Sequence, residues 1–576
     1  TTGSNHTAVG KDALLVSTAG GYDTAIGDSV LKANTSGNYN TGVGASALAA
    51  NTTASDNTAV GYASLAANTT GTKNTVVGKD AGLAITTGDQ NTALGARSLQ
   101  AATTADHNTA IGEAALYANT SGHSGVAVGS QALAANTTGV ENVAVGFTSL
   151  DANTTGSYNT AVGTDSMSAN TTGQENVSVG WNSLDANTTG SYNVAIGASA
   201  LGVNTTGESN VCIGYNAGDT ITTGNANTGL GAGALGATTT AGNNVAIGFE
   251  ALGANTTGAS NTAVGRYALD AVTTVSSLVG IGSNALGANT TGVHNVAVGT
   301  DAGLSVSTGS YNTAIGNFAL DANSSSSFNT AIGYGALTTN GGADNTAVGY
   351  LAMEDCSAGH SNVAIGVSAL GNLTTGNTNI VIGEDAGDAM TTASGNVIIG
   401  HSAAVHDVNF ATGSDCIIIG AYSDTSSTDA SQQVVIGQNL TSKGNTTTFV
   451  TGVPYNGNNQ AAWETTSDER IKKNISDNST GLSEINQIRV RNFEYRTPEE
   501  VTELPSHAAV DSQGIQVGVI AQEIETILPD MVNVESTGVK AVSTNNLTWY
   551  LVNAIQELSA KVEELESQPK CKCQGD

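Results

Sequence analysis

One motif returns through the first three quarters of this chain at a nearly fixed interval. That interval limits the possible folds more than any other feature. Typified by Asn57-Thr-Ala-Val-Gly61, the motif begins at positions 6, 23, 40, 57 and so on to 329, in steps of 17 residues. A 16-residue step leads to 345, 17-residue steps to 396 and a 20-residue step to 416, and the last copy begins at 433, giving 26 copies. The fourth position is aliphatic in every copy (Val9, Ile26, Val60, Leu94, Ile281, Ile436), and the fifth is always Gly. The ninth is usually Leu, as in Leu65, Leu99, Leu133 and Leu184, and an Asn-Thr-Thr-Gly run follows. A fixed period of this kind means a solenoid or stacked array in which each repeat touches only its neighbours.

Each repeat reads as two short strand-like pieces and two turns, with the fourth-position aliphatic residue and the Leu pointing inward. Asn-Thr-Thr-Gly supplies a turn, because Asn and Gly tolerate left-handed backbone. The constant Gly marks either a bend with positive φ and close backbone approach, or a place where packing excludes a side chain. One repeat is too small to fold alone. Stacked about 4.8 Å apart, the repeats form continuous apolar ladders and a rod of roughly 120 Å. A core this thin in each chain favours three chains packed side by side.

Composition agrees with short strands and tight turns. Gly makes up 72 of 576 residues and Pro only 5, with 4% aromatic and 11% charged residues. The net charge is −31, and no Lys or Arg occurs between Arg97 and Arg266. A duplex-binding surface needs a basic stripe to displace counterions, so nucleic acid is excluded as a partner. No run of about 18 apolar residues exists to span a membrane. The five cysteines, Cys212, Cys356, Cys416, Cys571 and Cys573, are too scattered for a disulfide framework. The chain opens in mid-repeat at Thr1, so an attachment domain is expected upstream.

The repeat ends after Gly437. Residues 438–466 read as a neck or linker rich in Asn, Thr and Gly. From 467 to 576 the composition changes, with more charged and large apolar residues. Ile488 to Tyr495 and Gly514 to Ile520 suggest strands, and Ala521 to Leu528 suggests a short helix stopped by Pro529. Leu551, Ile555, Leu558, Val562 and Leu565 follow 4-3-4-3 spacing, a coiled-coil seam on a helix from about 547 to 566.

Three places in this last segment carry a family resemblance. They are Ser467-Asp-Glu-Arg-Ile-Lys-Lys-Asn-Ile475, Gly518-Val-Ile-Ala-Gln-Glu-Ile524 followed by Leu528-Pro-Asp530, and the terminal helix with Ala554-Ile-Gln-Glu-Leu558. The segment resembles the self-cleaving intramolecular chaperones at the C-terminus of phage endosialidases and other phage tail fibres. The resemblance implies cleavage between Thr466 and Ser467, with Ser467 as nucleophile, Lys472 as base, and Asp468 and Arg470 shaping the junction. A serine hydroxyl needs a base to attack a carbonyl. A lysine serves only if burial or a nearby cation lowers its pKa. Lys473 is the alternative base, and an uncleaved trimerisation cap is the alternative role. The repeats look like the β-roll heads of trimeric autotransporter adhesins and the long repeats of phage tail fibres.

The repeat itself offers little chemistry. Asp151, Asp185, Asp270 and Asp321 share one repeat position but never sit on adjacent rungs, and paired carboxylates need about 5–10 Å. His401, His406 and Asp407 lack metal-ligand spacing, and the calcium-binding Gly-Gly-x-Gly-x-Asp nonapeptide is absent, so neither metal nor cofactor is expected. Phe147, Trp181, Tyr215 and Phe249 each follow the constant Gly, two repeats apart. Rings about 10 Å apart suit stacking on successive sugars of a polysaccharide. Burial between chains, or a 34-residue duplication, is the favoured explanation of the column.

The expectation is a mainly β, elongated homotrimeric β-roll or β-solenoid of 17-residue repeats. A small α+β chaperone domain with a C-terminal coiled-coil helix follows. Its function is that of a phage tail fibre joined to other tail or baseplate proteins through the expected upstream domain and contacting a bacterial surface polysaccharide or other host receptor, with self-limited autoproteolysis and no turnover enzyme. A bacterial surface adhesin is the alternative, and a polysaccharide depolymerase is the less favoured one.

Overall fold

The computed structural model describes residues 3–442, 448–450, 474–497, 500–504, 513–534, 538–544 and 546–568. It forms two compact units, Thr1–Ser357 and Ala358–Asp576. Both are built on the same turn. The first carries 21 three-residue strands from Thr7–Val9 to Thr346–Val348, and the second carries five more from Val363–Ile365 to Val434–Ile436. Pairing is parallel and shifted by one repeat, as in Thr58↔Thr75, Ala59↔Val76 and Val60↔Val77. The protein is therefore mainly β, a parallel β-solenoid of 17-residue turns.

Each strand stops at its Gly for a steric reason. Gly61 has φ +134°, and a Cβ there would lie 2.4 Å from the carbonyl oxygen of Gly78 on the next rung. Both sequence readings of this glycine, a bend with positive φ and a place where packing excludes a side chain, hold together.

The far side of the turn differs from the expectation of a second strand. Ala63 and Leu65 take left-handed backbone, with φ of 52° and 53°. Only one strand forms per turn, and the chain elsewhere curls. Left-handed backbone costs a non-glycine residue about 1–2 kcal/mol. Inter-rung bonds offset it: Leu65 N–H donates to Ala81 O at 3.0 Å, Ala67 N–H to Leu83 O at 3.1 Å and Thr69 N–H to Thr86 O at 2.9 Å. Every face of the stack is thus hydrogen-bonded to the rungs above and below.

The inward side chains are also not the expected pair. Leu at the ninth position is fully buried, as in Leu65, Leu99 and Leu184. Its partner inside is the third motif residue, Ala59, Ala93 or Ala110, not the fourth. The fourth-position aliphatic residues point outward and are partly or fully exposed, up to 57% at Val9. Strand alternation forces this choice, since neighbouring residues face opposite sides. Where the ninth position is Leu, only a small third residue shares the lumen with it, and where it is Gly there is room for a larger one, as for Val76 beside Gly82.

The Asn-Thr-Thr-Gly turn works by side-chain bonding rather than by left-handed backbone, because neither Asn68 nor Gly71 has positive φ. Asn68 is buried, and its Nδ2 donates to Gly71 O at 3.0 Å and to Asn51 Oδ1 at 2.9 Å. A second ladder uses the first motif residue: Asn57 Nδ2 donates to Gly71 O at 2.9 Å, and Asn57 N–H donates to Asn40 Oδ1 at 3.1 Å. Buried amides are stable when partnered in this way.

Residues 474–568 contain helices α1 (Leu482–Ile485), α2 (Ala521–Glu525) and α3 (Leu547–Ser567). Two antiparallel strand pairs accompany them, Arg491–Phe493 with Gln516–Gly518 and Val532–Val534 with Lys540–Val542. Helix α3 runs 21 residues without Gly or Pro, and Pro569 follows in the sequence.

Candidate functional site

The proposed cleavage residues Thr466, Ser467, Asp468, Arg470 and Lys472 lie outside the described residues, as do Lys473, Cys571 and Cys573. The structure describes what surrounds the segment that follows them. The backbone resumes at Asn474 with φ 58°. Residues 478–482 are then tied to α3. Asn553 Nδ2 donates to Asn478 O at 3.1 Å and to Thr480 O at 3.2 Å. Leu482 N–H donates to Glu557 Oε2 at 3.0 Å, so a carboxylate from α3 caps the first turn of α1.

A small core stands behind this tether. Ile524, Leu528, Met531 and Tyr550 are buried together, with Ile485, Ile488, Val519 and Leu547 packed against them. Two of the three resemblance segments meet here, residues 518–530 and α3, which supplies Tyr550. Asp530 of Leu528-Pro-Asp530 accepts hydrogen bonds from the Tyr550 hydroxyl and from Asn546 Nδ2. The bond to Asp530 pushes the Tyr550 pKa upward. Arg491 grips Glu523 with two nitrogens, at 2.6 and 3.2 Å, and holds its carboxyl below the usual range. An apolar hollow of about 280 Å³ remains open among Ile488, Val519, Met531 and Leu551. The expected seam on α3 is uncovered, with Ile555 at 62% and Leu565 at 67% exposure.

On the solenoid, Phe147, Trp181, Tyr215 and Phe249 are exposed at 54, 57, 64 and 45%. They stand at one border of the outward strand face. The opposite border, the residue just before each motif, carries a second set missed from the sequence: Tyr22, Tyr39, Tyr158, Tyr192, Tyr311 and Phe328. Some of these rings stack from rung to rung, Tyr22 on Tyr39 at 5.1 Å and Tyr311 on Phe328 at 5.1 Å. Aligning the repeats by the seventeenth column would have revealed them.

The carboxylate column has three further members, Asp219, Glu354 and Asp388. Burial raises the pKa of Asp151, Asp219, Asp270, Asp321 and Asp388. Asp219, Glu250 and Asp270 line a shallow groove. His406 lies 3.3 Å from Asp407, and both His401 and His406 set ring edges on Tyr422, but no metal-holding group of three ligands exists among the described residues. No described helix is long and apolar enough to cross a membrane.

Comparison with known proteins bears on the C-terminal segment. Residues 467–533 match the family described as the chaperone of endosialidase. The chain is also 33% identical over 108 residues to a probable tail fiber protein of Escherichia phage Phieco32. That match covers 18% of this chain and 13% of the phage protein, so the chain spans only a small part of this relative's length. The family match begins at Ser467 and takes in Lys472, the strand pair, α2 and Asp530.

Proposed function

We propose that the chain is part of a bacteriophage tail fibre, assembled as a homotrimer and carried on the virion. The solenoid, residues 1–437, contacts a receptor on the bacterial surface. Residues 438–466 form the neck, and residues 467–576 form an intramolecular chaperone that aligns three chains and then leaves. One observation carries this reading: a chaperone-of-endosialidase match that starts at Ser467, on the C-terminal side of a long repetitive solenoid. The tail-fibre relative supports it, and so does the uncovered apolar seam of α3, which suits a coiled coil.

The chemistry is acyl transfer within the chain. Ser467 Oγ attacks the Thr466 carbonyl carbon while Lys472 Nζ takes the hydroxyl proton. The peptide C–N bond breaks, the Ser467 nitrogen takes that proton, and Thr466 is left as an ester on Oγ. Water then hydrolyses the ester, freeing the Thr466 carboxylate and restoring the hydroxyl. Assembly that buries Lys472 lowers its pKa, so cleavage reports a completed trimer.

Intact mass of the purified chain beside a Ser467→Ala variant tests the reading. Wild type is expected as two pieces divided at Thr466/Ser467, and the variant as one. Two full-length proteins would make residues 467–576 a permanent cap and remove the role of Lys472.

A further inference from the structure

The outward strand face of the first unit has a composition that a solvated surface of this protein would not have. Its two outward columns, the second and fourth motif positions, contain only Thr, Val, Ile and Leu in all 21 strands from Thr7–Val9 to Thr346–Val348. No charge interrupts them, in a chain with 48 acidic residues and a net charge of −31. Exposing about 50 Å² of apolar side chain per rung, the stack presents on the order of 1,000 Å². That exceeds the roughly 300–600 Å² patches of ordinary monomers and matches what one partner contributes to a standard interface. The stripe also repeats once per rung along its whole length. A partner that covers it must share that repeat, and this chain does.

The borders carry a second pattern. Over five successive rungs the exposed ring alternates sides: Phe147 after the Gly, Tyr158 before the motif, then Trp181, Tyr192 and Tyr215. Where a ring stands on one border, the other holds a different kind of residue: Glu141 with Phe147, Thr164 with Tyr158, Glu175 with Trp181. One rung breaks the rule, carrying both Phe328 and Tyr334. When parallel copies surround a common axis, the left border of each meets the right border of the next. In register, a ring from one copy then falls between two rings of its neighbour, about 4.8 Å above and below. A slip of one rung sets ring against ring and leaves the next level empty.

We infer that the outward strand face of residues 7–348 packs against the same face of further copies of this chain, parallel and in register, and that the alternating rings from Phe147 to Tyr215 fix that register. The inference rests on the homotrimer reading and deepens it. It assigns Phe147, Trp181 and Tyr215 to the contact between copies rather than to a glycan. It also answers a need the repeat creates, since near-identical rungs otherwise specify register weakly.

Cross-linking of the full chain tests it. Ala226 and Ala232 stand on the two borders of one rung and carry no ring. In a background of Cys571→Ser and Cys573→Ser, Ala226→Cys and Ala232→Cys are combined and treated with a bismaleimide reaching about 8 Å. The inference predicts chains joined into trimers on a denaturing gel, with neither single variant joining. Pairing Ala226→Cys with Ala198→Cys, two rungs away, is expected to give at least tenfold less product. Equal yields from both pairs would overturn the register claim. No product from either pair, with sedimentation still showing a trimer, would overturn the face and leave the trimer reading intact. Loss of host-polysaccharide binding on Trp181→Ala in such an uncross-linked trimer would assign the rings to glycan. Monomers by sedimentation would refute both readings.

Discussion

Asp424 gives the sharpest quantitative prediction. It is buried in the second unit, where one carboxylate oxygen accepts hydrogen bonds from the backbone N–H groups of Asp407 and Val408, the latter at 3.2 Å. The other oxygen, Oδ1, has no hydrogen-bond partner. Burial is the main cause that pushes its pKa from 3.8 up to about 6, with neighbouring Asp407 adding to the rise and the two N–H groups and His406 opposing it. A raised folded-state pKa means that the stabilising contribution is full below about 3.8 and is lost as pH rises through about 6. The whole shift is worth about 3 kcal/mol, and linkage places about 1.4 kcal/mol of it, a factor of ten, between pH 5 and pH 7.5. Hydrogen exchange over residues 401–424, corrected for intrinsic rates, reads this directly. Protection is expected to fall about tenfold from pH 5 to pH 7.5 in wild type. Asp424→Asn keeps an acceptor for the two N–H groups and removes the titration, so its protection is expected to stay level across that range. A variant with the wild-type pH dependence, or a wild type that gains protection as pH rises, would refute the reasoning.

Other perturbations probe the rung itself. Leu184→Ala empties a fully buried site and is expected to cost about 3 kcal/mol, read as faster exchange in the rungs around residue 184. Gly146→Ala places a Cβ 2.2 Å from Gly163 O at φ +142°, and should cost at least about 2 kcal/mol by the same measurement. In Asn187→Asp, a carboxylate replaces the amide that donates to Asn170 Oδ1 at 2.9 Å and to Gly190 O at 3.0 Å. Thermal unfolding should show a loss of about 2 kcal/mol or more at neutral pH, partly recovered on acidification. Arg491→Ala breaks a partly exposed ion pair with Glu523, and its urea-unfolding midpoint is expected to stay close to that of wild type.

Much of this protein was legible without coordinates, because periodicity and local chemistry carry it. The 17-residue interval specifies a stack, the constant Gly specifies where each strand ends, and the buried Leu column is visible as a column. Near the C-terminus, the apolar spacing from Leu551 to Leu565 placed α3 within a residue or two of Leu547–Ser567. Ser467 and Lys472 were legible only as a motif, and the family match spans both positions.

What the sequence could not decide was which way each strand faces. Hydrophobicity alone ranks Val60 above Ala59 as a core residue, and that ranking points the wrong way. The tertiary structure decides it through volume: opposite the buried Leu65 the lumen has room for a methyl group but not for a second large side chain. Once Ala59 turns inward, alternation sends Thr58 and Val60 out together. The long-range geometry of the stack thereby turns a presumed core column into an exposed one. The two aromatic borders became visible for the same reason, since a border exists only after the face it bounds has been oriented. Sequence by itself determined that the chain winds into a solenoid with a chaperone-like segment after it. Only the packing of rung on rung determined which side chains are left to meet a partner.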